Sequence, residues 1–225
     1  MDLYKFKIDG IYDSRTLIEL KNEGVDHFSF DFNPRSFNFL QERVFLKLLD
    51  SVLNETDKIF LHFTDNRDFM VFKIRDEIIK RRGNLHNVYF EFDQFFSDLQ
   101  IPSDIKYILM YEPSIFLIQS HLDQVEGFIF KHDQLNKIER EGNLTQFYGN
   151  FYTHFKTIDL DSKYFILKTD WQENINKKCL EVFDFNIVSY VLNSDVEVCY
   201  RNVDLAKLKS SFSSKRKSFK PSIVF

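Results

Sequence analysis

Residues 4–32 read YKFKIDGIYDSRTLIELKNEGVDHFSFDF and hold one complete strand, helix and strand. Phe6 and Ile8 alternate with Lys5, Lys7 and Asp9, the two-residue period of a strand with unlike faces, so residues 4–9 are read as the first strand. Asp13 or Ser14 offers a helix start, Leu17 and Leu20 continue it at helical spacing, and Gly24 supplies the stop. A second strand follows at 27–32. A helix between consecutive strands makes them parallel neighbours joined by a right-handed crossover. The same pattern recurs, with strands predicted at 58–63, 87–92, 107–111, 127–131, 164–168 and 187–192. Helical patterns lie between them: Val44 to Val52, Met70 to Ile78, Ile115 with Leu117 to Leu122, a poorly periodic stretch from Leu135 to Phe155, Ile175 to Val182, and Leu205 to Phe212. Eight such units predict a single-domain α/β fold, a compact (β/α)8 TIM barrel over residues 1–212, followed by a basic C-terminal tail at 213–225. An open doubly wound sheet calls for a Gly-rich first turn, which Gly10 alone does not supply.

Composition agrees with one well-filled domain. The chain has 225 residues, 44% hydrophobic and 28% charged, and no apolar run approaches the roughly 18 residues of a bilayer span. Residues 201–225 carry seven Lys or Arg against Asp204, so the rest of the chain is strongly acidic. An acidic body argues against nucleic acid as a partner, because phosphate neutralisation needs clustered cations. The opening MDLYKFKID lacks a basic region followed by an apolar stretch, and Cys179 and Cys199 make neither a disulfide framework nor a metal pattern. A cytoplasmic protein with reduced thiols, without membrane or nucleic-acid partner, is the expectation.

The stretch FKIDGIYDSRTLIELKNEGVDHFSFDFNPRSFNFL resembles the start of the phosphoribosylanthranilate isomerases, (β/α)8 barrels of tryptophan biosynthesis. The matching positions are Lys7, Ile8, Gly10, Ile11, Gly24, Asp26, Phe30, Phe32, Pro34 and Ser36. WQENI resembles the family's turn after strand seven, and NSDVEV with VDLAKLKSSF its last strand and helix. The resemblance implies a small-molecule ligand at the C-terminal mouth of the barrel, an aldose–ketose rearrangement, and no cofactor or metal.

At the positions that carry the family's chemistry this chain has other residues. Asp9 stands where the family has a general-base Cys. Asn38 stands at the Arg that grips the anthranilate carboxylate, with Arg35 three residues earlier. Lys131 stands at the general-acid Asp, and Asp133 would share its side if the strand continued. Glu91 and Phe92 replace a His-Gly pair. The Gly-rich turns that bind phosphate through bare amides give way to Lys168 with Thr169 and to Ser194 with Asp195. An Asp195 carboxylate about 4 Å from a phosphate oxygen costs on the order of 4 kcal/mol.

Asp9, Asp133 and Lys131 are therefore the candidate catalytic residues, and Arg35, Asn38, Glu91, Lys168 and Ser194 the candidate substrate contacts. Asp9 admits three roles: a general base for proton transfer between neighbouring sugar carbons, a carboxylate held by Lys7 or Lys168 in a structural network, or a member of a metal set with His62, Glu91, Asp93, His132 and Asp133. The expected function is an isomerase with a rebuilt mouth. The alternative is a non-catalytic binding or scaffold protein, whose mouth would be plugged by Phe37, Phe39, Tyr111 or Trp171.

Overall fold

A computed structural model describes residues 4–96, 98–99, 101–113 and 122–219. Eight strands close into an all-parallel barrel in chain order: β1 Lys5–Asp9, β2 His27–Asp31, β3 Lys58–Asp65, β4 Val88–Gln94, β5 Tyr107–Met110, β6 Val125–Lys131, β7 Tyr164–Thr169 and β8 Ile187–Val191. Closure pairs β1 with β8 in register from Lys5 opposite Ile187 to Asp9 opposite Val191. Each expected strand is present within about two residues.

Seven α-helices lie among the described residues: α1 Ser14–Asn22, α2 Glu42–Ser51, α3 Phe69–Arg82, α4 His132–Arg140, α5 Leu144–His154, α6 Lys177–Val182 and α7 Leu205–Ser218. The poorly periodic stretch from Leu135 to Phe155 is two helices. The helix read from Ile115 onward lies outside the described residues except for Leu122. Local chemistry explains the ends: Asp13 accepts from the Thr16 amide at 2.8 Å and caps α1, and Gly24, at φ +79°, turns the chain after it. Residues 213–218 of the basic tail are the last turns of α7. There Lys215, Arg216 and Lys217 complement the negative end of the helix dipole.

Period-2 alternation sends the two faces of every strand to different surroundings. The outward set, including Ile8, Phe30, Phe63, Phe90, Leu109, Phe128 and Phe165, packs under the helices in one continuous apolar layer. The Phe excess is spent there: Tyr111, Phe128, Phe130, Phe165 and Phe183 surround Phe151 of α5, the Tyr111 and Phe151 rings 4.9 Å apart and edge to face. The inward set changes character along the axis. Near the strand N-termini it is apolar, with Phe60, Tyr89, Ile108, Met110, Ile129, Ile166 and Ile187 clustered together. Near the C-termini it is charged. No helix among the described residues is long and apolar enough to cross a membrane.

One element departs from the sequence reading. NSDVEV is not the last barrel strand; it is a turn followed by β9, Glu197–Cys199, which pairs antiparallel with β10, Asn202–Val203. This hairpin is tied to the loops after β1 and β2 and to the first turn of α1: Tyr12 Oη donates to Glu197, Arg201 donates to the Phe39 carbonyl at 2.6 Å, and Arg15 of α1 to the Val203 carbonyl at 2.9 Å. Arg201 also lies over the Tyr12 ring, 4.7 Å from its centroid.

Candidate functional site

The charged upper half of the barrel opens into a cavity of about 360 Å³ at the strand C-termini. Asp9, Asn38, Glu91, Lys131 and Lys168 all line it, together with Ser29, Asp31, His62 and Asp93. Of the other site residues expected from the sequence, Arg35 and Ser194 are exposed and do not line it. Asp133 does not line it either. Strand β6 stops at Lys131 and α4 begins at His132, so the parity that would have aimed Asp133 inward no longer applies. The helix starts there because His132 is fixed by three partners. Its Nδ1 lies 2.7 Å from Glu173, its Nε2 accepts from the Asn176 amide at 3.1 Å, and Asn136 reaches the ring. Since Nε2 accepts, the neutral ring carries its proton on Nδ1, facing Glu173. His132 therefore anchors the loop after β7 and is not part of the mouth.

Behind the lining residues Asp9 and Glu91 lies Lys7, fully buried, its ammonium between the two carboxylates. It donates to Asp9 Oδ1, on the same strand face two residues on, and its Nζ lies 2.8 Å from Glu91 Oε1 on β4, across the barrel interior. Ser29 Oγ donates to Glu91 Oε2 at 3.0 Å, and Lys168 Nζ lies 3.6 Å from Asp9 Oδ2. Burial alone would lower the Lys7 pKa; Asp9 and Glu91 outweigh it and raise it. Burial alone would raise that of Asp9, but Lys7 and then Lys168 hold it below the usual carboxylate range. Asp9 is thus ionised and engaged by both lysines.

A second charged chain lies beside it. His62 of β3 sits between Asp31, 3.0 Å from Nδ1, and Asp93, 3.1 Å from Nε2. Burial opposes its protonation, but the two carboxylates prevail and push its pKa up to about 10. With both nitrogens facing carboxylates as an imidazolium, His62 is not a metal ligand. Among the described residues no three His, Cys, Asp or Glu side chains converge to hold a metal ion. Asp31 and Ser29 were missed by the sequence reading, although the alternation FSFDF puts both on the inward face.

Gly10 and Asn38 close the rim between β1 and β2. Gly10 has φ +76°, and a Cβ on it would lie 2.3 Å from Asn38 Nδ2, the atom that donates to the Leu192 carbonyl at 2.7 Å. Gly10→Ala is expected to cost about 2 kcal/mol, roughly half from the left-handed backbone and half from the displaced amide. Gly24→Ala, at φ +79° with open space around it, should cost only about 1 kcal/mol. Urea unfolding of the two variants checks the difference, and equal losses would refute the contact.

None of the aromatic residues considered as plugs lines the cavity. Phe37 is exposed and meets Tyr200 of the hairpin, Tyr111 is buried under α5, and Trp171 stacks on Tyr190 while its indole N–H donates to the Val191 carbonyl at 2.7 Å. Beyond the mouth, the rim after β7 and β8 is acidic. Asp170 has its pKa raised by burial and by Glu173, Asp195 and Asp133, while Gln172 donates to Asp195.

No family model and no curated protein matches the sequence. Solved structures do. The chain is similar to a phosphoribosylanthranilate isomerase crystallised with reduced 1-(o-carboxyphenylamino)-1-deoxyribulose 5-phosphate, at 14% identity and TM-score 0.62 over 96% of this chain and 99% of that one. It is equally similar to the Thermotoga maritima phosphoribosylanthranilate isomerase, at 14% identity and TM-score 0.61 over 96% and 99%. Orotidine 5'-monophosphate decarboxylase from Metallosphaera sedula follows at 13% identity and TM-score 0.53, over 96% and 100%. At these identities the likeness is one of fold: a phosphoribosylanthranilate isomerase-like barrel.

Proposed function

We propose that the mouth is the active site of an isomerase-type enzyme that moves a proton between neighbouring carbons of a small sugar-derived carbonyl or imine, an aldose–ketose rearrangement of the Amadori kind. The observation that carries this reading is Asp9. It is an ionised carboxylate at the end of β1 in an open cavity, with the Lys168 ammonium 3.6 Å from one oxygen. Asp9 takes the proton from the carbon beside the carbonyl or iminium and returns it to the former carbonyl or iminium carbon, while the hydroxyl on the first carbon gives up its proton, which ends on the oxygen or nitrogen of the second, as the new ketone forms. Lys168 stabilises the negative charge that develops on the substrate oxygen. Lys7 and Glu91 position Asp9 from below, and Ser29 holds Glu91.

The acidic rim and the lack of Gly-rich turns after β7 and β8 oppose a 5-phosphate, so the tryptophan-pathway substrate is disfavoured relative to an unphosphorylated one. A second reading, a binding protein, draws on the same pairs, since a carboxylate engaged by two lysines also serves as plain structure. Solvent exchange separates them. In D2O with D-ribose, D-ribosylanthranilate and phosphoribosylanthranilate as probes, the wild type is expected to place deuterium beside the carbonyl carbon of at least one, by NMR. Asp9→Asn should slow that exchange at least about a hundredfold. Exchange unaffected by Asp9→Asn, or absent with every probe, removes the isomerase reading and favours the binding protein.

A further inference from the structure

Lys131 ends β6 directly opposite Lys168 on β7, so two lysines stand side by side on neighbouring strands, both lining the cavity. Lys168 is within 3.6 Å of Asp9, whereas Lys131 makes no ion pair or hydrogen bond among the described residues; the carboxylate it attracts, Asp93, is already held at 3.1 Å by His62. The other charged groups of the mouth are engaged: Asp9 and Glu91 by Lys7, Asp31 and Asp93 by His62. A cation without an ion pair beside a second cation is an incomplete set of contacts.

We propose that Lys131, with Lys168 beside it, is the subsite for a carboxylate on the ligand; the mouth, lined also by Ser29, Asp31 and Asn38, would then take a sugar acid or a similar polyhydroxy carboxylate. This deepens the isomerase reading and rests on it for the identity of the site, though not for the chemistry. A carboxylate brings one negative charge, which one unpaired ammonium answers. A phosphate dianion brings a second charge toward Asp9 and Asp93, and the sequence after β7 and β8, residues 170–176 and 192–201, has no glycine to open a backbone cradle for it.

Binding to the intact protein tests this by calorimetry at low salt, with D-ribonate, D-ribose and D-ribose 5-phosphate as probes. The wild type is expected to bind ribonate about tenfold tighter than ribose. Lys131→Gln should abolish that preference while leaving ribose unchanged, Lys131→Arg should keep it, and Lys137→Gln on the exposed side of α4 should be silent. Lys131 is exposed and unpaired, so the variants are expected to melt with the wild type, which is checked in the same samples. Ribonate binding indifferent to Lys131→Gln, tighter binding of ribose 5-phosphate, or no binding of any probe overturns the proposal. Ribonate preference without deuterium exchange would sink the isomerase reading alone. Exchange without the preference would sink the carboxylate subsite alone.

Discussion

Replacing Lys7 by Met should lower the unfolding free energy at pH 7 by about 3–5 kcal/mol, the cost of leaving buried carboxylates without their cation. Asp9 is 7% exposed and Glu91 2% exposed, so water cannot take over from Lys7. At 2.8 Å, and an effective dielectric near 20, a single pair of unit charges attracts by about 6 kcal/mol, while burying each ion costs several. The intact network therefore contributes little net stability, and the large effect is the asymmetry on breaking it. Two like charges sharing one site raise each other's pKa, so in the variant one proton is taken up on folding. The deficit should consequently grow from pH 4 to pH 7. Adding Glu91→Gln to Lys7→Met should recover about half of the loss. Urea denaturation across that range measures both, and a deficit below about 1 kcal/mol would show that Lys7 does not hold the two buried carboxylates in place.

The second large effect is a loss of stability on the alkaline side caused by His62. Its pKa is raised to about 10, against about 6.5 in the unfolded chain. A group whose folded pKa is raised binds its proton more tightly in the folded state. Its contribution is therefore complete below about pH 6.5 and is lost as pH rises through about 10. At about 1.4 kcal/mol per unit the whole window is worth up to about 5 kcal/mol. Asp9 and Asp93 act at the other end. Their depressed values give stability that is present above the unfolded pKa of about 3.9 and is lost as pH falls through the folded ones. Stability should thus be greatest between about pH 4 and 6.5. His62→Gln should be less stable than the wild type at pH 6, and the difference should shrink steadily toward pH 10. A wild-type-minus-variant difference that stays flat over that range would contradict the paired imidazolium.

Much of this architecture is legible along the chain. In VYFEFDQ, the β4 sequence, Val88, Phe90 and Phe92 alternate with Tyr89, Glu91 and Asp93, and the first set packs under the helices while the second faces the barrel interior. The same reading puts Asp9, Glu91, Lys131 and Lys168 at the mouth. It failed for Asp133, because strand parity ends where a helix begins, and the start of α4 depends on His132 meeting Glu173 and Asn176 some forty residues away. It also missed the β9–β10 hairpin, whose few strand residues are held by Tyr12, Arg15 and Phe39 from the other end of the chain.

By itself the sequence determined the barrel, since a two-residue alternation of Phe, Ile and Leu with polar groups, repeated eight times between helical segments and without a Gly-rich first turn, favours a closed ring of parallel strands over an open doubly wound sheet. Only the tertiary structure decided which charge answers which. Lys7 meets Glu91 because closing the ring brings the inward faces of β1 and β4 within hydrogen-bonding reach, and His62 meets Asp31 and Asp93 because the parallel register sets β2, β3 and β4 side by side. Coulomb attraction depends on that distance and on exclusion of water, and separation along the chain carries neither.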